Sequence, residues 1–98
     1  VPLREVRPSE VGVLRQVARV PLSIVTAADL GPAGIAVRNY LTTLVFPRSD
    51  DKTVVSTLKG KSCLVSLGSS EAIALTRDGR ALYSISEGVG PSICYVEF

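Results

Sequence analysis

The chain has 98 residues, of which 46% are hydrophobic and 20% charged, with eleven Lys and Arg set against nine Asp and Glu. That size leaves room for one hydrophobic core, read here as a single domain over residues 1–98, and the composition excludes the polar, highly charged class of disordered chains. An excess of two positive charges is too small to mark a dedicated nucleic-acid domain, the absence of His removes imidazole catalysis, and no apolar run approaches the ~18 to 20 residues of a membrane span.

In chain order, residues 1–8 carry Pro2 and Pro8 with alternating charge, which suits an extended arm or an edge strand. A helix is expected over residues 9–19. Ser9 stands where it can cap free amides, Glu10 complements the positive end, Val11, Leu14, Val17 and Ala18 recur at helical spacing, and Pro21 stops the run.

From Leu22 the pattern turns to β-branched and alternating residues broken by turn clusters. It predicts a strand over 22–26, a loop over 27–34 containing Gly31-Pro32, a long strand over 35–46, a polar turn over 47–52, and strands over 53–58 and 62–67. Residues 72–85 read as a hairpin, because Asp78-Gly79 suits a two-residue type I′ turn between strand-like flanks. A last strand, Ile93 to Phe98, follows the loop at Gly88-Val89-Gly90-Pro91. The expected architecture is α+β and β-rich: one N-terminal amphipathic helix packed on a small antiparallel sheet, or on a partly open barrel, of six or seven strands.

Little in the chain points to chemistry. Cys63 and Cys94 are too few for a zinc site without His, and their alternating apolar neighbours make them small core residues first; a disulfide between them stays open. Asp50 and Asp51, the adjacent acid pair, lie between Arg48 and Lys52 in a locally neutralised turn. Gly31-Pro32-Ala33-Gly34 lacks the spacing of a phosphate loop. No cofactor, metal or catalytic residue is expected.

The candidate binding residues are Arg77, Arg80, Arg15 and Arg19. A two-residue turn sets Arg77 opposite Arg80, where two guanidinium forks suit a carboxylate or phosphate, or simply point into water at an exposed tip. Arg15 and Arg19, four apart on the expected helix, form a second small basic row, preceded by Arg4 and Arg7. A stacking platform for nucleic-acid bases needs aromatics exposed on a sheet, whereas Tyr83, between Ala81 and Ile85, reads as inward.

The expected function is a non-catalytic protein-interaction or assembly module, part of a larger protein or complex. Its partner is another protein or a second copy, taken up along an edge such as Val1 to Leu3 or Ile93 to Phe98. The alternative is weak binding of nucleic acid or an anionic ligand through Arg77, Arg80, Lys59, Lys61 and the helix arginines, which salt would weaken steeply. No membrane insertion is expected, and the compartment is left unassigned.

Overall fold

The structure, a computed structural model, describes residues 7, 9, 12–66 and 71–98. The described residues form β1 (Ala27–Leu30), β2 (Gly34–Arg38), β3 (Thr43–Pro47), α1 (Val54–Leu58), β4 (Cys63–Val65), β5 (Ala72–Leu75), β6 (Ala81–Ile85) and β7 (Ile93–Glu97). The strands make two antiparallel sheets, one of four in the order β1-β2-β3-β4 and one of three in the order β5-β6-β7.

Strand alternation sends side chains of the four-stranded sheet to two buried faces. Ile35, Val37, Leu44 and Phe46 lie on one face and pack with Val20, Leu22, Val54 and Leu58. Ala36 and Val45 lie on the other, against Leu82 of the second sheet, with Val65, Ile73 and Leu75 around them. A strand covered on both sides needs an unbroken apolar run, and β2 is buried along its whole length.

Two polar ties cross between the sheets. Arg38 on β2 is fully buried (0% exposed); its Nη1 donates to Ser84 Oγ on β6 at 3.2 Å, while Nε and Nη2 donate to the carbonyls of Asn39 and Tyr40. Burial pushes the guanidinium pKa down, but such a group keeps its charge in proteins. Asp29 on β1 takes the amide of Leu75 on β5 at 2.6 Å.

This arrangement corrects the expected architecture in several places. No helix forms among the described residues of 9–19, and of the stripe meant for a core Leu14 and Val17 are in water, Leu14 at 101% exposure. The reason is geometric. One face of the four-stranded sheet holds the second sheet and the other holds α1 with Val20 and Leu22, so both faces of that sheet are taken without an N-terminal helix. A helix of that length is marginal without packing, and Gly12 with β-branched Val13 and Val17 lowers it further. Two facing sheets therefore replace the single helix-covered sheet or barrel.

The one helix stands where a strand is expected over 53–58. Thr53, a good strand former, acts as its N-cap instead, accepting from the Ser56 amide at 3.1 Å while its carbonyl accepts from the Thr57 amide. The expected strand over 22–26 is absent, and β1 lies in the expected loop over 27–34. The long strand over 35–46 is folded into β2 and β3 by a turn in which Asn39 Oδ1 accepts from the amides of Leu41 and Thr42. Residues 1–6 and 8 of the expected arm, and the end of the expected strand 62–67, lie outside the described residues.

Candidate functional site

Leu75 pairs with Leu82 at the end of the β5–β6 hairpin, and the Thr76 amide donates to the Ala81 carbonyl at 2.9 Å. The connection is thus residues 77–80, not a two-residue type I′ turn. Gly79 alone takes positive φ, at 70°, whereas type I′ needs it at both central residues. The Thr76 carbonyl accepts from the Gly79 amide, and Asp78 Oδ1 accepts from Thr76 Oγ1 at 2.6 Å and from the Arg80 amide at 3.1 Å. The Thr76 hydroxyl, then the Arg80 amide and charge, hold the Asp78 carboxyl below its ordinary pKa.

Arg77 and Arg80 are therefore loop residues at one hydrogen-bonded tip and not a cross-strand pair. They line a hollow of about 710 Å³ with Asp78, Tyr95, Glu97 and Phe98. Beyond Arg80's proximity to Asp78, neither guanidinium makes a hydrogen bond or an ion pair among the described residues. Tyr95 Oη donates to Glu97 Oε1 at 2.9 Å, and that bond raises the tyrosine pKa. Arg15 and Arg19 are exposed in an irregular segment, on no helix and outside this hollow.

β7 leads from the open face of the second sheet into that hollow. Its amide at Phe98 donates to the Arg80 carbonyl at 2.8 Å, and the Ser86 amide donates to the Ser92 carbonyl at the other end. In an antiparallel ladder, bonded and unbonded pairs alternate. The backbone groups of Cys94 and Val96 therefore face β6, and those of Ile93, Tyr95 and Glu97 face away, along an edge that nothing pairs with among the described residues.

The same register puts Tyr83 opposite Tyr95 as an unbonded pair, where side chains come closest. Their rings lie 4.9 Å apart between centroids, at 46% and 49% exposure, next to Ile93 at 70%. Tyr83 thus points outward, contrary to the inward reading. The inward row of β6 is Leu82 and Ser84, which face Ala36 and Arg38 of the other sheet.

No family model, curated protein or solved structure matches the chain. What the site does is therefore read from its own chemistry.

Cys63 and Cys94 are both free and exposed, correcting their reading as core residues. Each sits on the strand that ends its sheet, β4 or β7, where no neighbour covers it among the described residues. Asp51 accepts from Ser49 Oγ, which lowers its pKa, in an exposed turn. No three His, Cys, Asp or Glu side chains come together as a metal-binding group among the described residues, and no helix is long and apolar enough to cross a membrane.

The sequence marks Ile93 to Phe98 as a docking edge but does not bring Tyr95, Glu97 and Phe98 to the Arg77–Arg80 tip. The signal for them is partial. Pairing the last strand with the hairpin by its own alternation aligns Tyr83 with Tyr95, but alternation alone turns that aromatic row inward; it is the packing of Leu82 on Ala36 that turns it out.

Proposed function

We propose that the chain is a non-catalytic protein-interaction module that takes up an extended segment of a partner along the outer edge of β7. One observation carries this reading: the outward backbone groups of Ile93, Tyr95 and Glu97 are continuous with an exposed apolar face made by Ile93, Tyr95 and Tyr83. Main-chain bonds along such an edge supply affinity and alternate side chains supply selectivity.

The other edges support the choice. β1 and β5 lie side by side, with outward amides of both, Leu30 and Leu75, bonded to the Asp29 carboxylate. β4 has three residues, of which only Leu64 turns its backbone outward, and Lys61 stands just ahead of it. Short strands and edge lysines are devices that discourage pairing; β7 has neither, nor a Pro within its span.

Amide hydrogen exchange in the isolated chain tests this. Ile93, Tyr95 and Glu97 are expected to exchange fast while Cys94, Val96 and Phe98 are protected. Protection of all six in a monomer would remove the open edge and the proposal with it.

A second reading, binding of single-stranded nucleic acid, is favoured by the exposed Tyr83–Tyr95 pair beside Arg77 and Arg80. With two phosphate contacts, the log–log salt slope for a short single strand would be about −1.4.

A further inference from the structure

We infer that the segment docked along β7 is an extended peptide carrying an acidic group at the end that reaches the Arg77–Arg80 tip. This partner chemistry presupposes the edge docking proposed above and adds to it what the partner must contain.

The path comes first. β7 runs from Ile93, on the apolar face, to Glu97, and Phe98 is bonded to the Arg80 carbonyl at the hairpin tip. A strand laid along β7 therefore covers Ile93 and Tyr95 with its middle and enters the hollow with its end. Direction alone decides whether that end is the amino or the carboxyl one.

The hollow's charges then select the end group. Arg77, Arg80, Asp78 and Glu97 give two charges of each sign, but they are not equally engaged. Asp78 is held by the Thr76 hydroxyl and the Arg80 amide, and Glu97 accepts from the Tyr95 hydroxyl. The guanidiniums have no such bonds among the described residues. A guanidinium offers five N–H donors in a planar fork and no acceptor, so the unused capacity is for a negatively charged acceptor. On this proposal a carboxylate past the position facing Glu97 is set beside both forks, whereas a cationic end is set beside two like charges, with Asp78 and Glu97 still charged but each turned to a neighbour.

The test uses the 98-residue chain and three synthetic peptides of alternating Val and Thr, ending in Glu-Glu, Gln-Gln or Lys-Lys, each made in both end placements. Shifts of the Ile93, Tyr95 and Glu97 amide resonances report docking, and titration gives affinity. The Glu-Glu peptide is expected to bind roughly ten-fold more tightly than Gln-Gln, as charge-assisted bonds allow, with Lys-Lys weakest. In R77E/R80E that preference inverts; the milder R77Q/R80Q, which adds no new charge, abolishes the preference. Unshifted amides outside the tip show that both variants keep the fold.

Equal binding of Glu-Glu and Gln-Gln with shifted edge amides overturns the acidic end and leaves edge docking standing. Failure of every peptide to move those amides overturns both. An oligothymidylate that shifts the Tyr83 and Tyr95 rings and outbinds the Glu-Glu peptide overturns the peptide in favour of nucleic acid.

Discussion

The Asp29 carboxylate accepts the Leu75 amide at 2.6 Å, and its other oxygen accepts the amide of Leu30 at 2.9 Å. Pairing within the hairpin bonds Thr76 to Ala81, so the Leu75 amide points away from β6. One side chain therefore satisfies outward amides on the end strands of both sheets. D29A is expected to destabilise the chain by about 2 kcal/mol, the usual range for hydrogen bonds to a charged group. D29N, which keeps one acceptor, should cost less. Chemical denaturation gives the difference, and faster exchange of the Leu75 amide in D29A checks its origin.

Arg38 and Ser84 make the other tie, deeper in. Arg38→Ala removes a fully buried side chain and strands the acceptors of its hydrogen bonds, for an expected loss of about 3 kcal/mol. Arg38→Met fills the space without a charge and should recover much of that loss. Ser84→Ala takes one acceptor from the guanidinium and should cost about 1 kcal/mol. Denaturant midpoints no higher for Arg38→Met than for Arg38→Ala would show that filling the space recovers nothing.

Gly79 meets two constraints at once. Its φ is 70°, and a Cβ there would lie 2.3 Å from Ala33 Cβ in the β1–β2 turn. G79A is expected to lose about 2 kcal/mol or more, from backbone strain and from the collision. Adding A33G removes only the collision, so the double variant should melt between G79A and the parent. Identical melting of G79A and the parent would show that the tip and the turn are not in contact.

Asp78 gives a pH signature. Its carboxyl is held low chiefly by the Thr76 hydroxyl, and then by the Arg80 amide. A folded-state pKa below the unfolded one contributes stability that is present above the ordinary carboxylate range and is lost as pH falls through the folded pKa. Thr76→Val should raise the Asp78 midpoint toward the ordinary value, read by carboxyl carbon shifts in an acid titration. An unchanged midpoint would mean that the hydroxyl does not hold the carboxylate.

The parts of the fold legible in the sequence are those set by local chemistry. Strands β5 and β6 follow from alternation around Asp78-Gly79, and β7 follows from Ile93 to Val96 after a glycine-proline loop. The turn at Asn39 was equally available, because an Asn can accept the amides two and three residues on, but the apolar run around it masks the break. Other elements depend on partners far away in sequence. Leu14, Val17 and Ala18 keep helical spacing yet form no helix once both faces of the four-stranded sheet are covered by other elements, and Thr53-Val54-Val55 has strand composition but gains more as a capped turn over Ile35 and Phe46. At the site, Arg77 and Arg80 are legible as neighbours, while the Tyr83 orientation depends on which face of β6 meets Ala36.

The inequality of β4 and β7 sets how many molecules can join. Growth by strand addition requires two competent edges on every unit, as in a fibre. Here β7 presents three outward residues and β4 presents Leu64 alone among the described residues. Any strand that pairs along β7 uses up the longer edge and leaves a stub behind. If the chain docks a partner as proposed, its described residues offer one competent edge, and such pairing is expected to close at a discrete stoichiometry instead of propagating into a filament.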